Sequence, residues 1–301
     1  MQMQLCVVVM SLDGFTEIKA HTIHKYNTLS KYLDVCKKFN RIYNNFVYVD
    51  THGGSGRVSF RDGKKWMEGS PLIASHWNPN APCHIVEIDP DTYRCLCDST
   101  VQCSNVHTYH GDCNKLIDPI LSNIPKWRKF VFCFIDPNAL VYRNPDGSTC
   151  DQVKAQTIRK ISNFPRTEIL LNFPLEALLR CAGDFIANPN TKRGKSNAQR
   201  VTTFMGSETW KDVPLDRRKY LELYMDEMLG SYPYMGAMLV RSESKNLPLY
   251  YLVYATKNGT AAKIMRDIMK KEGDFPIYYD IEKGRFPTLD EVYPLQRFIF
   301  E

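Results

Sequence analysis

Short apolar runs alternate along this chain with polar, glycine-bearing turns. Between His24 and Phe39 the apolar positions are Tyr26, Leu29, Tyr32, Leu33, Val35 and Cys36. That spacing predicts an amphipathic helix. Phe46-Val47-Tyr48-Val49 predicts a β-strand closing at Asp50, followed by the turn Thr51-His52-Gly53-Gly54-Ser55-Gly56. Gly69-Ser70-Pro71 predicts a helix start, with Ser70 as N-cap and Pro71 in the first turn. Further strands are predicted over His84–Ile88, Val106–Tyr109, Phe130–Ile135 and Glu168–Leu171. The polar residues that follow these five strands are Asp50, Glu87, Asp112, Asp136 and Asn172.

Strands separated by helical or looping stretches argue for an α/β fold with a parallel sheet and right-handed crossovers. The unbroken apolar run Phe130–Ile135 suits a strand buried on both faces. Ligands of open α/β sheets bind beyond the carboxyl ends of the strands, where those polar residues collect. Asn188–Val201 is rich in Asn, Lys, Arg, Gly and Ser and predicts a mobile loop. Arg217–Leu229 predicts a helix. Its stripe Leu221, Tyr224, Met225, Met228 reads as core. Ala237–Arg241 and Leu249–Tyr254 predict an antiparallel hairpin joined through Asn246-Leu247-Pro248. Thr260–Lys271 predicts a basic helix. Gly284, Pro287 and Pro294 predict a tail lying on the surface.

The pattern divides the 301 residues into five parts. They are an N-terminal extension (1–20), a nucleotide-type core (21–184), a basic helical insertion (185–232), strands and a helix completing the core (233–272) and the tail (273–301). With 44% hydrophobic and 24% charged residues, a mostly disordered or fibrous chain is excluded. No apolar run approaches the roughly 20 residues that cross a bilayer. Leu5–Met10 has neither a basic region before it nor a small-residue cleavage site after it. A cytoplasmic protein with no membrane partner is expected.

Charge sharpens the picture in one segment. The net charge is +6, and from Phe185 to Tyr220 eight basic residues face three acids. Lys192, Arg193, Lys195 and Arg200 are candidate phosphate contacts to a nucleic acid. They are interleaved with amides rather than aromatics, so base stacking is not read there. The ten cysteines include the cluster Cys95, Cys97, Cys103 and Cys113, but no Cys-x-x-Cys pair. Metal binding is not expected from that spacing, and reduced, buried thiols are.

A glycine turn admits a ligand close to the backbone, and an acid at the end of the next strand can accept ribose hydroxyls. The dinucleotide fingerprint G-x-G-x-x-G is incomplete, since Ser59 follows Gly54-x-Gly56. The phosphate-cradling P-loop is absent. An acidic strand end, a short glycine turn and a final hairpin suit a methyltransferase core that uses S-adenosylmethionine (SAM).

Tyr48-Val49-Asp50-Thr51-His52-Gly53-Gly54-Ser55-Gly56 resembles motif I of class I SAM-dependent methyltransferases. It is nearest to ribosomal RNA adenine-N6 methyltransferases carrying Asp-Thr-His-Ala-Gly-Ala-Gly. A longer set of pieces resembles the three-Cys-motif partner (TcmP) family. These pieces are Tyr26-x-x-Leu29-x-x-Tyr32-Leu33, Asp50–Gly56, Gly69-Ser70-Pro71-Leu72, Val86-Glu87-Ile88-Asp89, Phe134-Ile135-Asp136-Pro137 and Leu249-Tyr250-Tyr251-Leu252. Together they span roughly 24–270.

The resemblance implies a Rossmann-like class I methyltransferase fold, SAM as cofactor and a three-Cys-motif protein as partner. It implies that Asp50, Gly54 and Gly56 line the methionine and ribose part of SAM. Glu87 would hold the ribose hydroxyls, and Asp112 would reach the adenine amino group. His52 stands where many methyltransferases have glycine. Adenine-N6 enzymes follow an Asp or Asn with Pro-Pro and an aromatic. Here Asp136-Pro137-Asn138-Ala139 retains only the first two, leaving stacking to Tyr142 or Phe173.

Plainer roles stand beside these. Asp112 can cap a helix, Asp136 can form a turn, Asn172 can satisfy backbone, and His52 can be a hydrogen-bonded structural histidine. The sequence reading is a SAM-dependent methyltransferase acting on a nucleic acid, with Asp136 and Pro137 at the acceptor. Its rivals are a methyltransferase-like subunit that docks another protein, and a nucleotide or dinucleotide enzyme, which the incomplete fingerprint disfavours.

Overall fold

The computed structural model describes residues 16–18, 22–60, 66–126, 129–242, 247–272 and 276–278. Leu5–Met10, Asn246, Gly284, Pro287 and Pro294 lie outside them. The chain divides into two compact units, Met1–Asp136 and Pro137–Glu301.

The first unit is built on four parallel strands: β1 (Phe46–Asp50), β2 (Cys83–Glu87), β3 (Val106–His110) and β4 (Phe130–Ile135). β1 pairs with β2 on one side and β4 on the other, and β2 pairs with β3. The chain therefore steps outward from β1 to β3, then returns across β1 to place β4. That reversal is the switch point of a doubly wound sheet, and it opens a crevice at the carboxyl ends of β1 and β4. β1 and β4 are buried along their whole length, whereas β3 is half-exposed. An apolar run reads as a central strand for this reason.

Helices α1 (Thr22–Cys36), α2 (Ser70–Trp77), α3 (Pro90–Thr100) and α4 (Cys113–Ser122) pack in this unit, with a single turn of helix at Asn40–Tyr43. The stripe predicted for α1 is its buried face apart from half-buried Val35, and Tyr32 stacks on Phe132 of β4 with ring centroids 5.4 Å apart. Burying each such side chain contributes about 1.5–3 kcal/mol. One departure concerns the glycine turn. Before α2 it leads into a strand that the pattern did not predict, Arg57–Phe60, which pairs antiparallel with Trp66–Glu68 and parallel with Thr16–Ile18. The excursion closes on itself, because the Gly69 N–H donates to the Gly56 carbonyl at 2.8 Å. α2 thus starts beside the turn, as the first helix of such a sheet should.

The second unit holds β5 (Thr167–Phe173), β6 (Tyr234–Arg241), β7 (Pro248–Thr256) and β8 (Pro276–Tyr278), in the spatial order β8-β6-β7-β5. All three pairings are antiparallel, and β6–β7 is the expected hairpin. Glu168 is buried in β5, but Tyr254 and Thr256 of β7 each donate a 2.6 Å hydroxyl bond to its carboxylate. Helices α5 (Ala155–Asn163), α6 (Leu175–Ala187), α7 (Lys192–Met205), α8 (Arg217–Leu229) and α9 (Gly259–Glu272) accompany these strands.

The predicted loop at Asn188–Val201 is corrected here: all of it from Lys192 onward belongs to α7. Thr191 caps that helix by accepting from the Gly194 N–H at 3.0 Å. Gly194, Asn197, Ala198, Val201, Phe204 and Met205 recur at helical spacing and are buried. Packing outweighs a loop-like composition. Phe204 stacks on Tyr224 of α8, and Phe173 of β5 tilts against both. Phe173 is fully buried in that cluster and cannot serve as a stacking platform, which removes one of the two aromatics considered for that role.

Among the described residues no helix is long and apolar enough to cross a membrane. No group of three or more metal-ligating side chains converges among them.

Candidate functional site

Four acids stand at or just beyond the carboxyl ends of the four parallel strands: Asp50, Glu87, Asp112 and Asp136. Asp50 is completely buried. Its Oδ1 accepts the His52 N–H at 3.0 Å, and its Oδ2 accepts the Ser70 hydroxyl at 2.6 Å and the Tyr48 hydroxyl at 3.1 Å. Asp50 therefore fastens β1, the glycine turn and α2 together; in this arrangement it faces the turn's own donors rather than solvent. Burial is the main reason its pKa is raised to about 7. The Ser70 and His52 bonds oppose the rise, and the neighbouring Asp136 charge adds to it.

Ser70 is not the N-cap expected of it. Gly69 takes that position, and the Ser70 side chain turns to Asp50. A Ser-Pro pair after glycine reads locally as a cap, and only the fold reveals the longer-range acceptor.

Glu87 holds the turn from the next strand. Its Oε2 accepts the Gly54 N–H at 2.8 Å, and its Oε1 accepts the Asp89 N–H at 2.9 Å. Burial raises its pKa, against these backbone bonds. A carboxylate has about four acceptor sites, so these backbone bonds leave capacity for a hydroxyl donor. Gly54 and Gly56 sit at φ +62° and +76°, the left-handed region that glycine enters without steric cost. Gly53 is required by packing, since a Cβ there would lie 2.3 Å from Ile85 Cγ2. His52 places Nδ1 2.7 Å from the Thr51 hydroxyl, within the turn itself.

Gly111 donates its N–H to the Glu87 carbonyl at 2.9 Å and brings the end of β3 beside that of β2. The next residue, Asp112, caps α4 by accepting from the Asn114 N–H at 2.9 Å. Asp136, one residue past β4, is 6% exposed and forms an ion pair with Lys25 of α1, itself 6% exposed. Sequence reasoning missed Lys25. The signal was present, because Lys25 lies four residues before Leu29 and seven before Tyr32, on the buried stripe of α1.

The structure thus brings Asp50, His52, Gly54, Gly56 and Glu87 into one bonded assembly, with Asp112 and Asp136 at adjoining strand ends. In the second unit Pro137 is buried, and its carbonyl lies 3.5 Å from the Asn172 amide nitrogen. Lys192, Arg193, Lys195 and Arg200 all lie on α7. Lys192 and Lys195 are exposed, Arg193 pairs with Asp184 at 3.2 Å, and Arg200 donates to Asn197 at 3.0 Å.

No protein-family model and no characterised protein sequence matches the chain. Solved structures match it at low identity. A Legionella pneumophila protein of the DUF519 family is 13% identical, over 88% of this chain and 96% of that one, with a TM-score of 0.48. A precorrin-6y C5,15-methyltransferase from Geobacter metallireducens is 14% identical, over 85% and 100%, with a TM-score of 0.38. M. jannaschii TYW2, solved in complex with AdoMet, is 11% identical, over 79% and 76%, with a TM-score of 0.35. At such identities and scores function has to come from the chain's own residues.

Proposed function

We propose that this protein is a SAM-dependent methyltransferase acting on a nucleic acid. The observation that carries the reading is the bond from the Gly54 N–H to the Glu87 carboxylate, beside the switch point of a doubly wound sheet. It sets a left-handed glycine turn against an acid on the neighbouring strand, an arrangement that receives a nucleoside.

The donor set fits SAM better than a dinucleotide. Glu87 and Asp112 stand at these strand ends, while Asp136 is paired with Lys25 and Asp50 is turned to the donors of the turn; the two acids at the ends suit a sulfonium and disfavour a pyrophosphate. When bound, SAM supplies an already activated methyl group. Glu87 would accept from the ribose hydroxyls, and Asp112 from the adenine amino group. Asp50 would keep the turn in shape from beneath. Asp136 would orient the acceptor, with Lys25 fixing its carboxylate. Catalysis would then rest on proximity and orientation.

A second reading has its own support. Asp136 is held by Lys25, Phe173 is sealed in the core, and no second proline follows Pro137. These features favour a methyltransferase-like subunit that has lost transfer and binds another protein, in keeping with the three-Cys-motif partner resemblance.

Incubation with methyl-tritiated SAM and cellular RNA or DNA separates the two. Label in nucleic acid, lost in Asp136→Ala while SAM still binds, supports the enzyme. SAM binding without label in any nucleic acid supports the second reading.

A further inference from the structure

Helices α6 and α7 form an antiparallel pair joined by the turn Asn188–Thr191. Gly194 makes the join tight, since a Cβ there would lie 2.0 Å from the Asn188 carbonyl oxygen. Arg180, Cys181 and Asp184 lie on one face of α6. Arg193, Asn197 and Arg200 follow at intervals of four and three on α7, so they too share a face. The two faces meet around a pocket of about 350 Å³. Arg180, Arg193 and Arg200 line it together with Ala139, Leu140 and Val141.

The charge in this pocket is unbalanced. Asp184 is bound to Arg193 and accepts from Asn197 at 2.7 Å. Among the described residues Arg180 and Arg200 make no ion pair. Three guanidiniums against one carboxylate leave an excess of two positive charges around an apolar wall. Guanidinium forks match phosphate geometry and bind it through paired hydrogen bonds. The volume lies within the range of small-molecule sites and accommodates a nucleotide. Lys192 and Lys195 continue the positive surface along α7 beyond the pocket, as a polyanion would require.

We infer that this pocket seats one nucleotide of a nucleic-acid strand. Arg180 and Arg200 hold the phosphate, and the sugar and base lie against Ala139–Val141. The inference rests on the nucleic-acid reading above and gives it a site. The wall begins three residues past Asp136 in the chain.

The test is binding of a fluorescein-labelled single-stranded RNA, followed by anisotropy with AMP, adenosine and inorganic phosphate as competitors. AMP is expected to displace the strand at concentrations where adenosine and phosphate do not. The Arg180→Gln/Arg200→Gln variant is expected to bind at least about tenfold more weakly. Its salt slope should fall by about 1.4, two contacts at roughly 0.7 each. Lys263→Gln/Lys270→Gln, equal in charge but on α9, should lose far less. Equal losses in the two variants would overturn the pocket and leave only diffuse attraction. So would unchanged binding in the arginine variant, or equal competition by AMP and phosphate. Melting curves with SAM, run on the same variants, keep the cofactor reading separate: a retained SAM shift alongside unchanged RNA binding rejects the pocket alone.

Discussion

Lys25 of α1 and Asp136 at the end of β4 form a buried ion pair across 111 residues of sequence. Each side chain keeps less than a tenth of its exposure. The pair joins α1 to the strand end where the acceptor is proposed to sit. Its attraction offsets the loss of hydration only while both partners are present. Lys25→Met is therefore expected to cost about 3–5 kcal/mol in urea unfolding, because it strands a buried carboxylate. Lys25→Met/Asp136→Asn should recover most of that loss. A single variant within about 0.5 kcal/mol of wild type, the ordinary range of surface changes, would show that the pair is not buried in solution.

Lys25 also marks how far the sequence could be read. The central strands were legible because burial on both faces leaves unbroken apolar runs such as Phe130–Ile135. The acids at their ends were legible because turn and strand occur together in the chain. Lys25 and Ser70 were not, since each acts on a partner distant in sequence: Lys25 on Asp136, Ser70 on Asp50. α7 was missed for a different reason. Its Lys, Arg, Asn and Ser residues have loop-like composition, and its strongest apolar anchors, Phe204 and Met205, come only in its last turn. The excursion Arg57–Glu68 was also missed, and the Gly69–Gly56 and Ser70–Asp50 bonds show that it leaves the turn and α2 adjacent.

The α7 helix depends on its start. Replacing Thr191 by Ala removes the acceptor for the Gly194 N–H, and it should cost about 1 kcal/mol of stability in urea unfolding. Helical circular dichroism should be almost unchanged, because the buried face of α7 remains. A loss of several residues' worth of helix signal would mean that the cap, rather than Val201, Phe204 and Met205, holds the segment.

Asp50 sets a pH dependence. Folding raises its pKa from 3.8 to about 7, so between these values the native state keeps a proton that the unfolded chain releases. The stability this contributes is complete below about pH 4 and is lost as pH rises through 7. The difference in unfolding free energy between wild type and Asp50→Asn should fall with rising pH across that window, by an amount on the order of 4 kcal/mol. A difference that stays flat from pH 4 to 8 would mean that Asp50 is ionised throughout.

The glycine turn has little steric slack. Gly56→Ala puts a Cβ 2.1 Å from the Ser99 hydroxyl at a backbone φ of +76°. Ser99 cannot yield freely, since it donates to the Ser55 carbonyl at 2.8 Å. Gly147 has a similar φ of +84° but open space around it. Thermal melts should show Gly147→Ala losing about 1 kcal/mol from backbone strain alone, and Gly56→Ala losing roughly 2–3. Equal losses would show that the contact with Ser99 costs nothing.

The most direct measurement is the melting temperature of the protein with and without SAM, in wild type and in Glu87→Gln. Ligand at about 100 times its dissociation constant adds about 2.7 kcal/mol, a shift of several degrees for a chain of this length. Wild type is expected to shift with SAM and S-adenosylhomocysteine but not with NAD. Glu87→Gln, which keeps the side chain's length but loses its charge, is expected to fold and to lose the shift. A wild type that does not shift with SAM, or a Glu87→Gln variant that shifts as much as wild type, would contradict a cofactor site at the Gly54–Glu87 bond.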